Sequence, residues 1–172
     1  LLFTLGIIGV GLLFPKEAVG HDGHDLIQDI ERELCRNLAG IVTAQVGYDA
    51  AFDEYIQQSR PVPVALQDLD SHPHEWVSGT RFDLLGWAPD GLVTGTYWVH
   101  TPGSYPDLDF VAHGAANPYG DDRYLHIIAT KDRYVRTMEY PSLTDRSMPP
   151  RLSEGAEPAC ARGMKLSESK ET

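Results

Sequence analysis

Sulfur ligands are nearly absent from this chain: its two cysteines, Cys35 and Cys160, form no Cys-x-x-Cys pair and no zinc-ligand spacing. That excludes the usual cysteine zinc sites and dithiol redox motifs. There is no Gly-x-Ser-x-Gly elbow to present a nucleophile and no glycine-rich loop to cradle a phosphate. Positive charge is also scarce, with 14 Lys and Arg against 25 Asp and Glu and a formal net charge of −11. The deficit is concentrated between His21 and Asp90, where thirteen acidic residues face four basic ones, whereas Pro141 to Thr172 balances at five against five. Without a basic stripe to neutralise phosphates, the chain is not expected to bind nucleic acid or dock on anionic lipid headgroups.

Long apolar runs occur once. Leu1, Leu2, Phe3, Leu5, Ile7, Ile8, Val10, Leu12, Leu13 and Phe14 make residues 1–15, closed by Pro15, a hydrophobic membrane anchor followed by an acidic, water-soluble chain. As a helix the fourteen residues before Pro15 reach only about 21 Å, against a hydrocarbon core of about 30 Å. The expectation is that further residues precede Leu1, or that the helix completes its crossing against a partner. No basic stretch or small-x-small cleavage pattern supports a signal peptide, and the acidic sequence after Lys16 places the domain away from the cytoplasm.

Residues 16–25, with Gly20 and Gly23, read as a hinge. From there Ile27, Ile30, Leu34, Leu38, Ile41, Ala44, Tyr48, Phe52 and Tyr55 recur every three or four residues, which predicts an amphipathic helix. Asp29, Glu33, Arg36, Thr43 and Asp53 fall on its opposite face, and Pro61 and Pro63 end it near Ser59. Gly40 and Gly47 each weaken such a helix by roughly 1 kcal/mol relative to Ala, so packing must supply the order. Arg60 to Thr80 reads as an aperiodic loop. Strand-like runs follow at Leu92–His100, Asp107–His113, Arg123–Thr130 and Arg133–Met138, separated by Pro-Asp-Gly, Pro-Gly, Asn-Pro and Lys-Asp turn signals. Together these predict an α+β domain over residues 26–140: a long N-terminal helix packed on a small antiparallel sheet of three or four strands. Residues 141–172 read as a polar tail. In an extracytoplasmic setting Cys35 and Cys160 permit one disulfide closing a loop of about 125 residues, worth about 2–4 kcal/mol, with two unpaired thiols as the alternative.

The residues along this layout resemble type IV pilins and pseudopilins. Leu5-Gly-Ile-Ile-Gly-Val10, closed by Pro15, is similar to the membrane half of a pilin helix. Asn37-Leu-Ala-Gly-Ile-Val-Thr-Ala-Gln-Val-Gly-Tyr-Asp-Ala-Ala-Phe-Asp-Glu-Tyr55 is similar to its C-terminal half. Leu85-Gly-Trp-Ala-Pro-Asp-Gly91 with Gly95-Thr-Tyr-Trp-Val99 resembles the start of the sheet in one branch of bacterial pilins. The resemblance spans about Leu1 to Thr130. It implies a pilin-like fold, anchorage in a bacterial inner membrane with the domain periplasmic or extracellular, and a role in assembly. Phe3-Thr4-Leu5 imitates the processed pilin start, but Gly6 follows it and the family's acidic residue is absent. A register with Leu1 just after that glutamate fits the apolar run better and places the true N-terminus upstream.

Seven histidines invite a metal or catalytic reading. His21 and His24 lie beside Asp22 and Asp25, and His72-Pro-His74 is a second pair, but both fall in polar loops where solvated histidines are the default. His100, His113 and His126 fall on predicted strands, as surface or internally satisfied residues. Asp121 and Asp122 supply too few oxygens for calcium and read as part of a turn. Trp76, Trp87, Tyr97 and Trp98 form a possible partner contact. Tyr97 and Trp98, adjacent on a strand, must face opposite ways, one into the core and the other outward.

The expected function is therefore non-enzymatic, with no cofactor and no metal. The chain is read as a membrane-anchored structural protein, a pilus or pseudopilus subunit, whose partners are copies of itself or other membrane-protein subunits, together with the bilayer at Leu1–Phe14. A second reading makes it a pilin-like accessory subunit stabilising a large respiratory or photosynthetic membrane complex on its periplasmic side.

Overall fold

The apolar stripe becomes one helix, α1 (Gly23–Phe52), and the chain after it forms an antiparallel sheet, giving an α+β fold. The computed structural model describes residues 23–101, 109–120, 124–132 and 134–137, with only the backbone of 23–25 and 135–137. The expected anchor Leu1–Phe14, the tail 141–172 and Cys160 lie outside the described residues. Among the described residues, no helix is long and apolar enough to cross a membrane.

Ile30, Leu34, Leu38 and Ile41 are buried as their spacing predicts, and Cys35 beside them is buried and disulfide-bonded. The stripe departs from the pattern near its end. Phe52 is 65% exposed, its ring tilted by 40° against Tyr48 with centroids 4.6 Å apart, while Gln45 on the helix is completely buried. The Gln45 side chain donates to the Ile56 carbonyl at 2.6 Å and accepts the Ile56 N–H at 2.9 Å, so the chain leaving the helix folds back on it. The helix stops at Phe52, before the prolines, because Asp53 turns into the left-handed region (φ 54°) and its N–H closes on the Asp49 carbonyl at 2.7 Å.

Freed from the helix, the chain pairs at once as β1 (Gln58–Val62), a strand inside what reads in sequence as helix end and loop. Pro61 disguises it, since proline is tolerated on an edge strand, and β1 is the edge. β2 (Gly95–His100), β3 (Val111–Ala116), β4 (Leu125–Ala129) and β5 (Tyr134–Thr137) complete a five-stranded antiparallel meander in chain order, one or two strands more than expected. The second predicted strand is displaced: β3 begins four residues after Asp107 and runs past His113 to Ala116. Every residue of β3 is buried, so small and apolar residues surround His113 where an alternation of buried apolar and exposed polar residues was expected.

On the inner face of the sheet, Tyr97, Val99, Ala112, Ala116, Leu125, Ile127 and Ala129 meet α1 in the main core. The approach is close. A Cβ on Gly95 would lie 2.4 Å from Leu34 Cδ2, and one on Gly40 would lie 2.4 Å from Trp87 Nε1. Gly40 thus exchanges helix propensity for a seat under the Trp87 indole. Glu33 is not on a solvent face: its carboxylate accepts the Thr94 N–H at 2.8 Å and the Thr94 hydroxyl at 2.6 Å, pinning α1 to the start of β2. Asn37 Nδ2 donates to the Tyr97 hydroxyl at 2.8 Å in the same region.

Candidate functional site

The register places Thr96, Trp98 and His100 of β2, Val111, His113 and Ala115 of β3, and His126 and Ile128 of β4 on the outer face, away from α1. This face is not open. The connection after β1 crosses it with a 3-10 turn, Leu66–Asp68, and packs Leu66 and Leu69 on Trp98 and Ala115. Three hydrogen bonds from the sheet hold this cover by its backbone. Thr96 Oγ1 donates to the Val64 carbonyl at 2.6 Å, the Tyr124 hydroxyl to the Leu66 carbonyl at 3.3 Å, and Asn117 Nδ2 to the Leu69 carbonyl at 3.0 Å.

Beneath the cover lies a stack of parallel rings. Trp98 and His113, directly paired across β2 and β3, have centroids 4.7 Å apart and planes 2° apart. His126 lies 5.4 Å from Trp98 at 11°, and His113 Nδ1 is 3.1 Å from His126 Nε2. One nitrogen must donate and the other accept, so the neutral pair holds one N–H in that gap. His100 meets His113 edge-on at 5.4 Å. Both histidines of the pair are 7% exposed. Burial, with the nearby His126 and His100, holds His113 well below the ordinary histidine range, and burial lowers His126 to about 4. At neutral pH the pair is uncharged, suited to packing and hydrogen bonding.

The structure corrects the aromatic contact expected from sequence. Tyr97 (0% exposed) and Trp98 (3%) do face opposite ways, but each face is covered, so both are buried. Trp76 and Trp87 are half-buried against the main core; they meet edge-on at 5.3 Å and pack with Phe82 and Tyr97. These four rings lock the 74–98 region to the sheet and helix; Tyr97 is closed to solvent, whereas Trp76 and Trp87 each keep part of their surface exposed. The left-handed Gly86 (φ 64°) directs this packing, because it ends the 3-10 turn Arg81–Leu85 and delivers Trp87 to α1. Exposed apolar side chains occur instead at Leu26, Phe52, Val77, Leu84, Leu92 and Tyr119.

Of the two histidine pairs read from sequence, His72 and His74 converge on one carboxylate. Asp70 Oδ2 lies 3.2 Å from His72 Nδ1, and Asp70 Oδ1 lies 3.4 Å from His74 Nε2 while accepting the His72 N–H at 2.9 Å. The backbone bond from His72, ahead of the imidazoles, lowers the Asp70 carboxyl. Among the described residues, no group of three or more His, Cys, Asp or Glu side chains is arranged to hold a metal. Only the backbone of His24 and Asp25 is described, in the first turn of α1; His21, Asp22, Asp121 and Asp122 lie outside the described residues. The turn at Asn117–Gly120 is present, with Gly120 donating to the Asn117 carbonyl at 3.3 Å.

A shallow open cavity of about 360 Å³ is lined by Glu54, Tyr55, Gln57, Ser59, Arg81 and Thr101. The Tyr55 hydroxyl donates to Asp49 Oδ2 at 2.9 Å and is pushed up to about 12, first by desolvation, then by Asp49 and Asp109, so it is no base at neutral pH. Gln57 donates to Ser59 Oγ at 2.6 Å and accepts from Thr101 at 3.1 Å, so the cavity wall is cross-linked to itself.

Sequence reasoning missed the paired histidines because their contact depends on register. The available signal was phase: Trp98 and His100 lie two apart on one strand, as do His126 and Ile128 on another. Only the strand pairing shows that these phases coincide. No protein-family model, curated protein or solved structure matches this chain.

Proposed function

We propose that the chain is a membrane-anchored, non-enzymatic structural protein with a pilin-like body, serving as a subunit of a pilus or pseudopilus. The observation that carries this reading is the 30-residue helix laid along an antiparallel meander, with the apolar sequence Leu1–Phe14 upstream of it. The helix sits on the sheet through close contacts at Gly95 and Gly114 and through the Glu33–Thr94 bonds. A helix fastened to a sheet in this way suits a protein whose work is to be held in place and to hold others. The proposed anchor is Leu1–Phe14, with the domain on the extracytoplasmic side of a bacterial inner membrane. An oxidising compartment there suits the disulfide at Cys35.

A second reading, an accessory subunit on the periplasmic side of a large respiratory or photosynthetic membrane complex, is favoured by Gly20 in the polar stretch between the apolar segment and α1; Gly23, also read from sequence as part of that hinge, is the first residue of the helix. Such a hinge suits a tethered domain better than a continuous filament helix. The two separate on gentle detergent extraction of the native membrane, sizing and mass spectrometry. A ladder of self-assembled species supports the filament subunit. Migration at fixed ratio with unrelated integral-membrane subunits sinks it in favour of the accessory role, and migration as an isolated monomer counts against both.

A further inference from the structure

We propose that the His113–His126 pair is an acid-sensitive latch under the cover segment Val64–Leu69, whose protonation opens the outer layer of the sheet while the layer against α1 stays closed.

The geometry carries the argument in three steps. The pair is joined across 3.1 Å, a distance that works only with one N–H and one lone pair between the nitrogens. A first added proton can leave an N–H···N bond in place, but it puts a positive charge in a buried layer. A second proton sets two N–H groups of two imidazolium rings against each other, and the pair must then separate. The two uptakes belong to the pair as a unit and occur in separate steps.

The direction of opening follows from what lies on either side. Beneath the pair is the hydrogen-bonded sheet, and beneath that the main core against α1. Above it is Trp98, stacked on both imidazoles and packed under Leu66 and Leu69. The cover is a short connection with one 3-10 turn, tied down by the bonds from Thr96, Tyr124 and Asn117. It is the weaker wall, so separation of the imidazoles lifts Trp98 and the cover outward.

From β2 the titratable group facing the pair is His100, whose own charge opposes charging of His113. From the start of β4 it is the Tyr124 hydroxyl, engaged with the Leu66 carbonyl. Asp68 and Asp70 around the cover, Arg60 on β1, and Lys131 and Asp132 after β4 are exposed. Burial resists protonation of both rings at neutral pH, and a second proton forced in by acid sets their N–H groups against each other across the 3.1 Å gap. Below the ordinary histidine range the folded layer binds fewer protons than the opened one, so falling pH favours opening.

The test is hydrogen exchange on the full chain from pH 7.5 to 4.0, corrected for intrinsic exchange rates, with the His113→Gln/His126→Gln double variant alongside. The expected result is a loss of protection of at least tenfold over 64–69 between about pH 6.5 and 4, with little change over 30–41 of α1, and no such step in the double variant. Equal protection of 64–69 at both ends of the range overturns the latch. So does simultaneous loss over the cover and α1, or an unchanged step in the double variant. Should that variant not fold, histidine ring proton resonances of the unaltered chain decide the matter. Two of the seven histidines must stay neutral at pH 6 and then take up protons in separate steps. Ordinary titration of all seven near 6.5 overturns the proposal.

Discussion

On the inner face of the sheet, α1 sets Ile30, Leu34, Leu38 and Ile41 against small residues and a buried tyrosine; on the outer face, a short connection sets Leu66 and Leu69 against Trp98 and a histidine pair. Both faces are covered, yet their cohesion differs in kind. The inner layer is held by apolar area and close steric fit, neither of which depends on pH, with the Glu33–Thr94 and Asn37–Tyr97 hydrogen bonds at its margin. The outer layer is thin, fastened by single hydrogen bonds to backbone carbonyls, and built on two imidazoles that must stay neutral. One sheet thus presents a permanent face and a conditional one.

The comparison sharpens most at Leu34. Leu34→Ala removes a fully buried side chain and is expected to cost about 2–5 kcal/mol in urea unfolding, equally at pH 7.5 and pH 5. Gly95→Ala alone should cost about 1–3 kcal/mol by overpacking against Leu34, and clearly less on the Leu34→Ala background. Additive effects in that cycle would show that the helix does not rest on Gly95.

Gln45→Ala leaves the Ile56 N–H and carbonyl unpaired beneath the helix end and should cost about 2 kcal/mol. The urea midpoint measures it, and no pH dependence is expected.

Acid acts on the other face. Lowered histidine pKa values mean that stability is fully present above about pH 6.5 and falls as pH drops towards the folded-state value, about 4 for His126. The slope is about 1.4 kcal/mol per pH unit for each proton withheld. Urea midpoints at pH 7.5, 6 and 5 should fall in that order, less steeply in the His113→Gln/His126→Gln variant. A flat profile would erase the distinction between the faces.

The smallest effect is expected at the edge of the cover. Thr96→Val removes the bond to the Val64 carbonyl and should cost about 1 kcal/mol, seen as faster hydrogen exchange over 64–69 and little change over 30–41.

How much was legible in advance varied along the chain. The helix was plain from Ile27 to Ile41, because 3.6-residue periodicity is a local property and the helix follows it. Its end was not, because Asp53 and the Gln45–Ile56 bonds stop it before any proline can. β1 was hidden by Pro61, which marks a loop unless the strand is known to be an edge. The alternation of Tyr97 and Trp98 was legible, but a second cover on the sheet was not, so the expectation of one exposed ring failed. Of the four rings read as a partner contact, Tyr97 and Trp98 are buried, while Trp76 and Trp87 keep part of their surface exposed.

By itself the sequence determined the class of the fold: one long amphipathic helix, then β-rich segments, with an apolar stretch at Leu1–Phe14 and no motif for nucleophilic or phosphate chemistry. Periodicity, turn residues and motif spacing are local, and local pattern is enough for such statements. Tertiary structure alone decided that Glu33 reaches Thr94, that Gly40 seats Trp87, and that His113 and His126 meet across two strands beneath Trp98. Those contacts depend on strand register and on which segment covers which face, and both are settled by long-range packing.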